Sequence, residues 1–178
     1  MSFNIIYIHC STKNAFMNIV SQKNVPGQHD YLLKEDNKTV LKFSYKQERH
    51  TARVETENER RVLIIDDEGL LKTRLILKNE YGVRIGSLAY DNFSDTQGSV
   101  DIENTRYRYV VQNGNKTELN IYKGSRRNRI YNCQLSFDNY NLKELRSQLA
   151  SLIIAVSWYL FLRGTSITNP VFNEAIIL

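Results

Sequence analysis

The densest group of residues able to do chemistry is Lys123, Arg126, Arg127 and Arg129, a basic turn flanked by Tyr122 and Tyr131. Guanidinium forks match the oxygens of phosphate and carboxylate, so this cluster is a candidate contact for an anionic head group or an acidic protein surface. The competing reading is a solvated turn whose charges keep a hairpin soluble. Arg106 and Arg108 alternate with Tyr107 and Tyr109, which in a strand sets arginines on one face and tyrosines on the other. A stacking platform for single-stranded nucleic acid needs both on one exposed surface. This stretch therefore predicts core tyrosines under solvated arginines, and nucleic acid is not the expected partner. Arg60 and Arg61, and the trio Arg49, His50 and Arg53, read as further solvated faces. The formal net charge of +5 favours acidic partners mildly.

Catalytic chemistry finds little to stand on. The histidines are His9, His29 and His50; His9 adjoins Cys10 in a strand-like stretch, where neighbours point to opposite faces and cannot form a nucleophile–base pair. A pairing of Cys133 with His9 in space is the arrangement left. Asp66-Asp67-Glu68-Gly69 lacks the ligand spacing of a calcium loop and reads as a hairpin turn. No glycine-rich phosphate loop, paired zinc ligands or serine elbow is present. The expectation is a protein without catalytic residues, cofactor or metal, and not an enzyme. Cys10 and Cys133 are too few and too far apart for a disulfide framework or a zinc site and read as two reduced thiols. The start, MSFNIIYIHC, lacks a basic lead and a small-residue cleavage site, which predicts a cytoplasmic protein, peripheral at a membrane if it meets one.

The elements that must position these residues begin with the last helix. Asn141 and Glu144 form a capping box, flanked by Tyr140 and Leu145 as a staple, and Gly164 with Pro170 beyond it predicts an end at Arg163. Within residues 142–163, the stretch Leu149 to Leu162 is apolar except for Ser151 and Ser157, so the helix has no face for water and must be enclosed. Leu149, Leu152, Ile153, Ala155, Val156, Trp158, Leu160 and Leu162 are its expected core residues. The two serines are expected to bond back to carbonyls one turn earlier. Enclosure by lipid is the alternative to enclosure by protein. Burial in protein is preferred over transmembrane insertion, because the rest of the chain reads as strands whose inner faces need a cover.

Period-two alternation recurs from residue 3 to residue 138. Expected strands include Phe3 to Cys10, Ala15 to Val20, Thr39 to Tyr45, Thr105 to Gln112, Thr117 to Lys123 and Arg129 to Asp138. Val40 is expected to face the core, with Phe43 and Tyr45 following after an irregularity. Arg60 to Asp66 with Leu71 to Leu77 is the best hairpin signal. Tyr81 to Tyr90 is expected to turn Val83 and Ile85 inward. His50 to Glu57 reads as a solvent-facing or edge strand, and Asp91 to Gly98 as loop before a strand at Ser99 to Glu103. The chain of 178 residues suits one domain. About ten to twelve antiparallel strands, closed into a barrel around a central hydrophobic helix, would leave no open edge and no uncovered inner face.

That order of elements, with LASLIIAVSWYLFL as its helix and the meander from Arg60 to Asp138 before it, resembles the tubby-like superfamily, which includes the LURP-one-related proteins and the phospholipid scramblases. The resemblance implies a non-enzymatic module that binds phosphoinositide head groups or proteins, or acts at membranes. No phosphate-binding pair of that family can be matched to residues of this chain. The chain also departs from the plan in the tail 165–178, which would add a strand or plug a barrel end. The expected function is a binding module for an acidic partner, either an anionic phospholipid head group or an acidic protein surface. The alternatives are a dedicated protein-interaction or immunity-type inhibitor and a membrane anchor through residues 149–162.

Overall fold

The computed structural model describes residues 5–12, 16–22, 25, 27–69, 73–91, 94–114, 116–125, 127–135 and 142–167; of these, no side-chain placement is described for 5–12, 16, 22, 142–144 and 165–167. The strands are β1 (Ile5–Thr12), β2 (Phe16–Gln22), β3 (Gln28–Glu35), β4 (Lys38–Lys46), β5 (Thr51–Glu55), β6 (Arg60–Glu68), β7 (Arg74–Asn79), β8 (Arg84–Asp91), β9 (Ser94–Ile102), β10 (Thr105–Asn113), β11 (Thr117–Lys123) and β12 (Arg129–Leu135), followed by α1 (Leu142–Ile167). Each strand lies antiparallel to its sequence neighbours in one sheet. β1 also lies beside β12, in register at Cys10↔Cys133, Ser11↔Asn132 and Thr12↔Tyr131.

Alternation decides which side chains meet the helix. β4 sends Leu41, Phe43 and Tyr45 inward and leaves Lys42 and Lys46 outside; β10 buries Tyr107 and Tyr109 with Arg106 exposed. In α1, Leu149, Leu152, Ile153, Ala155, Val156 and Trp158 are buried, as its uninterrupted apolarity demands, while Leu160 and Leu162 are half-buried where the helix nears one end of the sheet. Burying each large aliphatic side chain is worth roughly 1.5–3 kcal/mol. By length and composition Leu145–Gly164 is able to cross a membrane, with a mean hydropathy of 1.4, yet 67% of its apolar window is buried inside the protein.

β3 runs beside the helix and fixes its axial position. Near the helix start, His29 Nε2 lies 3.3 Å from Ser147 Oγ, and Tyr31 Oη donates to the Gln148 carbonyl at 2.9 Å. At the other end of the same strand, Glu35 accepts from the Tyr159 hydroxyl and pairs with Arg163 at 3.0 Å. Ser151 Oγ donates to the Gln148 carbonyl at 2.9 Å, one turn back as expected; Ser157 Oγ does not, and has no partner among the described residues.

Several boundaries differ from the sequence reading. α1 runs through Gly164 to Ile167, because one glycine costs a helix only about 1 kcal/mol and the first unavoidable stop is Pro170. Thus 165–167 belong to the helix rather than to a tail, while 168–178, the cap residues Tyr140 and Asn141, and the turn residue Arg126 lie outside the described residues. β9 begins at Ser94, inside the stretch expected to be loop. β5 is an inner strand flanked by β4 and β6, with Ala52 and Val54 buried, not an edge. Val83 points to solvent, since it sits in the β7–β8 turn ahead of the strand; in β4 Leu41 rather than Val40 is buried, in line with Phe43 and Tyr45. β6 extends to Glu68, beyond the expected end, and the chain reverses after Gly69, whose φ is +87°.

The buried phenols predict an alkaline limit to stability. Burial pushes Tyr107 up to about 12, and burial with the nearby charge of Asp67 does the same to Tyr45; Tyr90, Tyr109 and Tyr159 are also raised, chiefly by burial. An unfolded tyrosine releases its proton near pH ~10. Between there and about 12 the folded state holds more protons, so raising pH favours unfolding. Denaturant midpoints should be flat up to about pH 10 and fall steeply above it; a flat profile to about pH 12 would contradict these burials.

Candidate functional site

Most described arginines, and two of the lysines, are neutralised locally. Arg106 meets Asp101 at 2.7 Å, Arg61 meets Glu103 at 2.7 Å, Lys78 meets Asp66 at 2.8 Å, Arg74 meets Glu68 at 3.4 Å, Arg108 meets Asp91 at 3.4 Å and Arg146 meets Asp95 at 3.0 Å. Two groups are different. The first lies on the outer face of β3, β4 and β5, where Lys42, Lys46, Arg49 and Arg53 line an open groove of about 560 Å³ and none has a carboxylate at ion-pair distance among the described residues. The register sets Ser44 opposite Arg53 and Lys46 opposite Thr51, and a single turn of 3₁₀ helix, Gln47–Arg49, carries Arg49 to the rim. The turn closes at His50, whose φ of +50° swings the chain back into β5. Two carboxylates share the groove: Asp30 accepts from Gln28 at 2.8 Å, and Glu55 lies 4.0 Å from Arg60. The positive excess is therefore real and local, and hydroxyls of Ser44 and Thr51 lie among the cations.

The second group is the cluster singled out by composition. Its described members, Lys123, Arg127 and Arg129, are exposed, but they have different surroundings. Arg129 donates to Asn120 Oδ1 at 3.2 Å, within an amide network in which Asn132 also donates to Asn120 at 2.9 Å. Lys123 Nζ comes within 4.0 Å of where a Cβ on Gly164 would stand, beside the last turns of α1, where the helix dipole favours a cation. Arg127 occupies the turn itself. Composition located this cluster; of the outer face of β4 and β5 it marked Arg49 and Arg53 only as a solvated face, and Lys42 and Lys46, interleaved with core residues, join them through strand pairing.

The two ends of the sheet around the helix are chemically distinct. At the helix start, a cavity of about 180 Å³ lies between Ser147, Ala150 and Ser151 of α1 and Tyr45, Leu75 and Tyr90 of the strands. Small helix residues leave that space unfilled. The Arg146 guanidinium sits 4.7 Å from the centre of the Tyr90 ring at its rim. At the helix end, Arg61 lies 5.7 Å from the Trp158 ring centre and ties Glu59 and Glu103 over it. No cluster of three or more His, Cys, Asp or Glu side chains able to hold a metal occurs among the described residues, and nothing positive points to catalysis there. His9 has no described side-chain placement, so any pairing of it with Cys133 lies outside what the structure describes; Cys133 itself is buried.

The fold and these sites define an antiparallel β-sheet wrapped on one hydrophobic helix, with cationic outer surfaces. Compared with protein-family models, with curated proteins and with solved structures, the chain matches none.

Proposed function

We propose that this chain is a non-enzymatic binding module for an acidic partner, built as a closed antiparallel barrel of the tubby-like kind. The register of β1 against β12 supports closure, and the enclosed apolar helix supports the tubby-like plan. The observation that carries the binding reading is the unneutralised set Lys42, Lys46, Arg49 and Arg53 on one face of a protein that otherwise pairs most of its arginines. Guanidinium and ammonium groups over a hydroxyl-lined groove suit phosphate or carboxylate oxygens. An anionic phospholipid surface satisfies that chemistry, and so does an acidic protein; the basic hairpin at Lys123 and Arg127 adds a second contact of the same sign.

Vesicle co-sedimentation tests the proposal. Each Lys or Arg near an anionic bilayer contributes roughly 1 kcal/mol, so Lys46→Glu with Arg53→Glu should weaken binding to phosphatidylserine vesicles by about tenfold or more. Raised salt should weaken the wild type in the same direction. Binding that the double variant retains in full, or that salt does not touch, overturns the outer-face reading. Loss only with Lys123→Glu and Arg127→Glu moves the site to the hairpin.

A further inference from the structure

The chain has two cysteines, and the register of the sheet places them directly opposite each other, Cys10 on β1 and Cys133 on β12. We propose that they form a reversible intramolecular disulfide that locks the seam between the first and last strands. The inference rests on the closure proposed above.

Directly opposed residues of an antiparallel pair share a face and stand with Cα atoms about 4.5–5.5 Å apart, within the span of about 4.4–6.8 Å that a disulfide bridges. Cys133 belongs to the buried set of β12, with Tyr131 and Leu135, and the backbone register sets Cys10 directly opposite it. The seam has the shortest described register in the sheet, at Cys10↔Cys133, Ser11↔Asn132 and Thr12↔Tyr131, and every other strand pair extends further. It is also the pairing whose two strands are most distant in sequence. A covalent link there closes a loop holding most of the chain, where the constraint on the unfolded ensemble is greatest.

The chemistry is thiol–disulfide exchange with a small disulfide such as oxidised glutathione. One cysteine, as thiolate, attacks a glutathione sulfur, forming a mixed disulfide and releasing one glutathione thiolate. The second thiolate then attacks the protein sulfur of that mixed disulfide and expels the other glutathione. The protein dithiol loses two electrons, the glutathione disulfide gains them, and the two thiol protons pass to the two released glutathiones. Because Cys133 is buried, exchange requires the seam to part, and the finished bond holds it shut.

The test incubates the full chain with oxidised glutathione and examines it by intact mass, by maleimide labelling under denaturing conditions and by melting. The expected product has lost two hydrogens, carries no label and melts on the order of 10 °C higher, with the reduced value restored by dithiothreitol. Cys10→Ala must abolish all three changes. A second protein, Cys10→Ala and Cys133→Ala with Ser11→Cys and Asn132→Cys, probes the neighbouring register pair. If this pair crosslinks while the native cysteines give only mixed disulfides or remain thiols, the lock is overturned and closure stands. If neither pair crosslinks, closure falls with it.

Discussion

Ala155→Asp abolishes soluble folding. Ala155 has no exposed surface and lies in the apolar run of α1, between buried Ile154 and Val156 and three residues before buried Trp158. A carboxylate placed there has no partner arranged for it. It must either remain charged in a medium that penalises charge by many kcal/mol or take up a proton and stay an unsatisfied polar group. Either outcome, added to overpacking, costs at least about 4–5 kcal/mol, most of the net stability of an ordinary domain. Trp158→Asp should do the same by a different balance, with less crowding and a larger void. Expression at a low temperature, followed by fractionation and circular dichroism of any soluble protein, decides the matter. A soluble, cooperatively melting Ala155→Asp protein would show that the helix is not enclosed.

That helix was legible in sequence because a fourteen-residue stretch, Leu149 to Leu162, offers water no face, and all-round apolarity has few structural solutions. β10 and β12 were legible for a related reason, since large inward tyrosines and aliphatics alternate with charged or amide neighbours. β5 and β9 were not. β5 sends only Ala52 and Val54 inward, and β9 reaches the core with Gly98, Val100 and Ile102 beneath half-buried polar residues, so neither shows a hydrophobic alternation strong enough to separate strand from loop. The helix end was misplaced because Gly164 has the signature of a cap but pays only a small penalty inside a helix whose flank is already packed. The cationic face and the opposed cysteines belong to a further class. Lys42 and Arg53, like Cys10 and Cys133, become neighbours only through register, and register is a property of the assembled sheet rather than of any local window.

Gly98→Ala is expected to cost about 3 kcal/mol or more, although it adds a single methyl group to a strand. Gly98 lies across from Tyr90 on β8 and Tyr109 on β10. A Cβ there would stand 2.9 Å from Tyr109 Oη, 3.0 Å from its ring edge, and against the Ala89 carbonyl closer than any real Cβ approaches. The tyrosine is the softer obstacle, since a ring can tilt. The carbonyl is backbone, fixed by the β8–β9 ladder, so relief requires those strands to separate and the ladder bonds beside Gly98 to lengthen. The melting temperature should fall by on the order of 6–12 °C. Combining Gly98→Ala with Tyr109→Phe separates the two obstacles, because it removes the hydroxyl contact and leaves the carbonyl. Recovery of only a minor part of the loss excludes the hydroxyl and leaves the constraint with the Ala89 carbonyl and the ring edge, of which only the ring can tilt away. Full recovery would place it in the Tyr109 hydroxyl, and the close approach of β8 to β9 would then not be what requires a glycine at this position.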